Sequence, residues 1–162
     1  MGRYRLTVAS RLDADTATVW AHASTIAGVN AELAPLHMSA PPGAVLDARA
    51  PLGRPAFVSV VTLWGLVPID LHELTLIAFA DGASFHECSR SLLQARWEHV
   101  RRLEPDGAGC RVVDEVTFHP RLFGPLVRPI IGRVFERRHR RLRALFTGRE
   151  PEPPRADWSP PG

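Results

Sequence analysis

The sequence predicts an α+β domain in which a run of antiparallel strands is closed by one long C-terminal helix. Three observations predict it. Between residues 55 and 119, apolar and β-branched runs recur with links of only a few residues between them, among them Asp81-Gly82 and the stretch from Asp106 to Gly109. Links that short join antiparallel neighbours, because a parallel crossover takes a dozen residues or more. From Leu122 to Phe146 the apolar spacing changes to that of an amphipathic helix. Finally, a chain of 162 residues buries about 70% of the surface of its extended form, enough for one core and too little for two.

The elements follow in order. Residues 3–12 alternate, with Tyr4, Leu6, Val8 and Ser10 on one side and Arg5, Thr7, Ala9 and Arg11 on the other, which predicts a half-buried strand. Asp13 and Asp15 offer N-caps for a short helix through Trp20 and Ala23, and residues 25–32 form a second, in which Gly28 weakens helix propensity. After a Pro- and Gly-rich stretch at 41–53, strands are expected at about 55–66, 69–79, 83–91, 95–104 and 110–119. In the final helix Leu126, Ile130, Val134, Phe135, Leu142 and Phe146 recur at helical spacing, while Pro125 and Pro129 are expected to confine the regular helix to residues after about 129, or to kink it. Residues 1–147 thus read as one domain, and the Pro-rich residues 148–162, Trp158 included, as a disordered tail.

Composition excludes several classes. Hydrophobic residues at 45% and charged residues at 23% are those of a globular chain, and the longest nearly apolar run, residues 56–69, is interrupted by Gly65 and Pro68 and falls short of the roughly 20 residues that cross a bilayer. No charged-then-apolar leader opens the sequence, so a cytoplasmic protein is expected. Cys88 and Cys110 supply neither a disulfide framework nor a zinc site, and no phosphate-cradling Gly loop is present; no metal and no cofactor are expected. The net charge is +3, and every basic side chain is Arg.

The order of elements is that of a helix-grip fold, and the residues agree. Gly28-Val29-Asn30-Ala31-Glu32-Leu33 with Pro35 and Met38, Phe85-His86-Glu87-Cys88-Ser89, Trp97-Glu98-His99-Val100-Arg101 and Arg138-His139-Arg140-Arg141-Leu142 resemble bacterial members of the START and polyketide-cyclase-like superfamily, SRPBCC. The resemblance implies a curved antiparallel sheet wrapped around the long helix, with two short helices after the first strand. It also implies a cavity between sheet and helix for a hydrophobic or amphipathic small molecule, in carriers or in enzymes that cyclise polyketides. The first helix departs from many relatives in lacking a Pro at its start. On the implied cavity, the lining is expected to comprise Leu74, Leu76, Phe85, Trp97 and Val116 from the strands and Ile130, Val134 and Phe135 from the helix, with Ser89 and His139 as polar ligand-binding groups; His139, on the edge of the apolar stripe, reads either as a satisfied helix–sheet histidine or as a pocket base. Trp20 and Trp64 are further candidates for cavity or core.

Alternation also sorts the polar residues. Glu87, Ser89, His99, Arg101 and Asp114 share faces with bulky apolar neighbours and are expected to point inward. Hairpins centred on Leu93 and on Asp106-Gly107 would set Glu87 opposite His99, and His99 opposite Asp114. Read as catalytic, His99 is a general acid or base oriented by Glu87 or Asp114, and Arg101 holds a carboxylate or polarises a carbonyl, as a cyclase or dehydratase requires. Read as structural, the same residues satisfy one another in a buried network. Arg133, Arg137, Arg138, Arg140, Arg141 and Arg143 form a basic run, either a solvated helix face or an interaction surface for anionic lipid; no specific nucleic-acid partner is expected. Whether a reaction is catalysed, which ligand binds and the oligomeric state are left open by the sequence.

Overall fold

Alternating strands and tight turns build one eight-stranded antiparallel sheet against which three helices pack. In the computed structural model, which describes residues 2–44, 47, 49–146 and 155–159, the chain runs β1 (Tyr4–Leu12), α1 (Thr16–Ala23), α2 (Ile26–Leu33), β2 (Leu36–Met38), β3 (Pro55–Leu63), β4 (Val67–Ala80), β5 (Ser84–Ser91), β6 (Gln94–Asp106), β7 (Gly109–Pro120), α3 (Gly124–Phe146) and β8 (Asp157–Ser159). The strands lie in the order β2-β3-β4-β5-β6-β7-β1-β8. This is the expected α+β helix-grip architecture.

The short helices are capped as their sequences dictate. Asp15 accepts from the amide of Thr18 at 2.8 Å, and Thr25 Oγ1 accepts from that of Gly28 at 2.9 Å. Gly28 is required there for space, since a Cβ would stand 1.8 Å from the carbonyl oxygen of His22. The close approach of α1 and α2 that it permits turns Glu32, one turn later, into the interior with no exposed surface.

Two expectations are corrected. Helix α3 is not confined to residues after 129: it begins at Gly124 and contains Pro129. Its first turn closes around Pro125, with the amides of Leu126 and Val127 donating to the Phe123 carbonyl, so Pro125 sits where no N–H is needed, while Pro129, further in, forfeits one hydrogen bond. Residues 157–159, expected within a disordered tail, form β8 on the free side of β1 (Leu6 opposite Trp158). Trp158 packs against Phe118 and the gap left by Gly132, with the Arg128 guanidinium 4.6 Å from its ring centre. Residues 148–154 and 160–162 of that tail, like Val45 and Leu46, lie outside the described residues.

Three apolar clusters hold the layers together. One joins Leu12, Val19, Trp20, Leu103, Val112 and Leu142; a second joins Leu6, Val8, Val116, Phe118 and Phe135; the third places Ala50 over Leu74 and Leu76. Helix α3 therefore grips the β1 and β7 side, and the connection before β3 covers the β3 and β4 side. The buried stripe of α3 is Gly132, Phe135, Arg138, His139 and Leu142. Ile130, expected on that stripe, is 55% exposed: it falls on the opposite side of the helix from Phe135.

Candidate functional site

Between the apolar clusters the inner faces of sheet and helix carry charge. Asp114 of β7 lies at the centre. Arg101, directly opposite on β6, forks onto it through Nε (2.8 Å to Oδ1) and Nη2 (2.7 Å to Oδ2). The same guanidinium donates to Glu32 of α2 at 3.0 and 2.8 Å, and Arg138 of α3 donates to Glu32 Oε2 at 3.2 and 3.0 Å. His22 Nε2 stands 3.5 Å from the other Glu32 oxygen. Sheet, short helix and long helix thus meet on two carboxylates with no exposed surface.

Two imidazoles complete the Asp114 shell: His99 Nε2 lies 2.9 Å from Oδ1 and His139 Nε2 2.9 Å from Oδ2. Burial pushes the His139 pKa down, outweighing Asp114, so the ring is neutral. Its single N–H faces Asp114, and its Nδ1 accepts from the Ser10 hydroxyl at 2.8 Å, which accepts in turn from Arg143 Nε at 2.9 Å. Burial alone would raise the pKa of Asp114, but Arg101 and the surrounding donors hold it well below the usual carboxylate range.

A second centre adjoins the first. Glu87 Oε1 receives His72 Nε2 and the Ser89 hydroxyl, each at 2.6 Å, and Glu87 Oε2 lies 3.9 Å from His99 Nδ1. Burial opposes charge on both partners of this pair; their mutual attraction wins, lowering the Glu87 pKa to about 2 and raising that of His72. Charge balances on this basis. Three buried carboxylates face two guanidiniums, and an imidazolium at His72 supplies the remaining positive charge.

Every residue expected to be catalytic is inside and in one network: His99, Arg101, Glu87 and Asp114. The register differs in one respect. Glu87 does pair with His99, but His99 faces Val116 and Asp114 faces Arg101. The hairpin turns through Gly107 and Ala108, with Asp106 opposite Gly109, and moving its centre by one residue moves each partner by two. The faces survive, so His99 reaches Asp114 on the diagonal. The expected lining is divided: Leu74, Leu76 and Phe85 belong to one apolar cluster, while Trp97, Val116, Val134 and Phe135 belong to another, with the charged network between them. A recess of about 330 Å³ opens elsewhere, beside Pro125, Arg128, Pro129 and Trp158.

Sequence reasoning missed Glu32, His72, Ser10 and the inward role of Arg138. His72 was within reach, because it alternates with Leu74 and Leu76 on β4. Arg138 shares the helix face of Phe135 and Leu142, three and four residues away, and its burial against Glu32 corrects its reading as part of a solvated run. Exposed Arg133, Arg137 and Arg140 keep that reading.

Inner-face polarity continues to the end of the sheet where β5 turns into β6. Ser59, His72 and Ser91 face one another across β3, β4 and β5, and the Gln94 amide donates to Ser91 Oγ at 3.0 Å. All four are buried, and Ser59 Oγ and Gln94 Oε1 have no hydrogen-bond partner among the described residues.

Residues 10–146 match the family described as a domain of unknown function, DUF8410. A search of curated protein sequences finds no match. Similar solved structures include protein CV1439 from Chromobacterium violaceum, at 12% identity and TM-score 0.66 over 91% of this chain and 99% of that one. They also include a START superfamily protein from Mycobacterium smegmatis (11%, TM-score 0.64, 88% and 97%) and the Zhui aromatase/cyclase from Streptomyces sp. R1128 (9%, TM-score 0.63, 90% and 97%). At these identities the likeness is one of fold, the helix-grip fold of the SRPBCC superfamily.

Proposed function

The chain belongs to the DUF8410 family, a domain of unknown function, and from that membership and its helix-grip fold we propose that it is a cytoplasmic binding protein for an amphipathic small molecule. The polar group of the ligand is held on the inner face at Ser59, His72 and Gln94, and its apolar part lies against Trp97 and the first half of α3. The observation that carries this reading is the pair of buried oxygens without a protein partner, Ser59 Oγ and Gln94 Oε1, on either side of the His72–Glu87 pair. Buried polar groups are nearly always satisfied, and one left unpaired costs about 1–3 kcal/mol, so two at one end of the interior point to a ligand with matching donors. The fold likeness to a START superfamily protein supports the same class of ligand. Free thiols at Cys88 and Cys110 agree with a reducing compartment, and no helix among the described residues is long and apolar enough to cross a membrane.

Cyclisation or dehydration through His99 and Arg101 has less support. Four of the five N–H donors of Arg101 are committed to Asp114 and Glu32, which leaves the guanidinium little capacity for an oxyanion.

Native mass spectrometry of gently purified protein tests the proposal. A small-molecule adduct is expected on the wild type and absent from the Ser59→Val/Gln94→Leu double variant, which should unfold at the same or a higher temperature because it buries two fewer unpaired groups. A wild type free of any adduct, whose melting temperature is also unmoved by a panel of amphipathic acids, alcohols and phenols, would overturn it.

A further inference from the structure

We propose that the end of the molecule carrying Trp64, Phe123 and the first turns of α3 docks onto an anionic lipid bilayer. The inference goes beyond ligand binding and does not depend on it.

Two aromatic side chains stand in solvent at this end, Trp64 at 69% and Phe123 at 73% exposure, and both occupy the left-handed backbone region, with φ of 55° and 54°. A bulky residue in that conformation is strained, and neither side chain is held there by core packing. The loops that present them are neighbours along one end of the sheet. The Leu92 amide donates to the Leu71 carbonyl, that of Leu93 to Asp70 Oδ1 and that of Arg121 to the Leu93 carbonyl, which ties the β3–β4 hairpin strand to the β5–β6 turn and that turn to the start of α3. Leu66, Leu92, Leu93 and Leu122 are each more than half exposed on the same loops. Isolated exposed leucines need no explanation, but this many on adjoining loops mark an interaction surface.

Helix α3 adds a gradient of polarity along one face. Leu126, Ile130, Arg133, Arg137 and Arg140 follow at alternating steps of four and three, and all five are exposed. At 1.5 Å per residue, the arginines begin roughly 5 Å beyond Ile130 and continue for roughly 10 Å. A protein end that buries its apolar residues some 5–10 Å into a bilayer would hold this row at the level of the headgroups, where each guanidinium snorkels to phosphate. Arg121 and Arg128 flank the apolar part, and residues 117–135 contain no Asp or Glu. Positive potential beside inserted apolar side chains fits an anionic membrane surface. A second copy of the chain would bring these arginines against their own kind, and a nucleic acid would leave the leucines unused.

Co-sedimentation with vesicles tests this, using phosphatidylcholine alone and phosphatidylcholine with about one-third phosphatidylglycerol. Binding is expected to the mixed vesicles, weakening as salt is raised. A Trp64→Asn/Phe123→Asn variant should bind roughly tenfold more weakly while keeping its melting temperature, because Asn tolerates the left-handed backbone. Arg133→Glu/Arg137→Glu should lose binding to a comparable degree, and both substitutions lie outside the buried network. The proposal is overturned by a wild type that stays in the supernatant, by variants that bind as the wild type does, or by a solution dimer that the Asn variant dissolves. The vesicles carry no added ligand, and the surface excludes Ser59 and Gln94, so failure here leaves the adduct experiment to stand or fall separately.

Discussion

Arg101 and Glu32, 69 residues apart in the chain, meet fork to fork, Nη1 to Oε1 at 3.0 Å and Nη2 to Oε2 at 2.8 Å, with neither side chain touching solvent. The pair fastens the short helix α2 to the middle of the sheet, and Arg138 fastens the long helix to the same carboxylate.

Glu32→Gln is accordingly expected to destabilise the fold by about 3–5 kcal/mol, since it leaves two buried guanidiniums facing a neutral amide. Urea denaturation at neutral pH measures it. A loss below about 1 kcal/mol would mean that the cluster is open to water in solution.

The buried carboxylates set the acid limb of stability. Burial works against the charge on Glu87, but His72, His99 and Ser89 bring its pKa from 4.5 to about 2, and Glu32 and Asp114 are lowered as well. Groups with depressed folded-state pKa values contribute stability that is complete above the unfolded value and is lost as pH falls through the folded one. The protein should therefore weaken steeply between about pH 4.5 and pH 2. Glu87 alone accounts for about 3 kcal/mol of this, and Glu87→Gln should flatten the slope in a denaturation series.

Two histidines should titrate in opposite directions by NMR. His72 is raised, because Glu87 overcomes its burial; His139 is lowered, because burial overcomes Asp114. The stability due to His72 is present below its unfolded pKa of about 6.5 and is lost as pH rises through the folded value. That due to His139 is present above about 6.5 and is lost as pH falls through its folded value. Titration of His72 below a free imidazole would contradict its assignment as the charged partner, and titration of His139 above one would contradict its neutral state.

Gly28→Ala should cost about 2 kcal/mol or more despite the higher helix propensity of Ala, because its methyl group would sit 1.8 Å from the backbone of His22. Thermal melting would decide the matter, and a gain in stability would refute the tight α1–α2 junction.

How far the sequence could be read depended on whether the answer was local. Strand faces were legible from alternation alone, which is why Glu87, Ser89, His99, Arg101 and Asp114 could all be placed inside. The β6–β7 register was not, since it hangs on whether a turn centres on Asp106-Gly107 or on Gly107-Ala108, and both are acceptable turn chemistry. Partners that arrive from elsewhere in the chain were invisible for a different reason. Nothing near Glu32 indicates that α2 will aim it at Arg101 and Arg138, and an arginine between Phe135 and Leu142 reads as surface until a buried carboxylate is known to wait for it. Pro125 and Pro129 misled because proline usually breaks a helix, whereas here Pro125 stands in the first turn, where no N–H is needed, and the helix runs on through Pro129 at the loss of one hydrogen bond. Trp158 carried a true signal within a composition typical of disorder: a large aromatic has to find a surface, and Gly132 had left one.

The outermost strands, β2 and β8, are only three residues long each. A sheet extends by adding a chain to a bare margin, and a margin this short offers an incoming strand few amides to grip. Removing the segment around Trp158 would strip one border and lay open the backbone of Arg5 and Thr7 together with the aromatic surface of Phe118. Shortened forms of this protein should then be lost first by clumping in solution, with the fold of each molecule still intact.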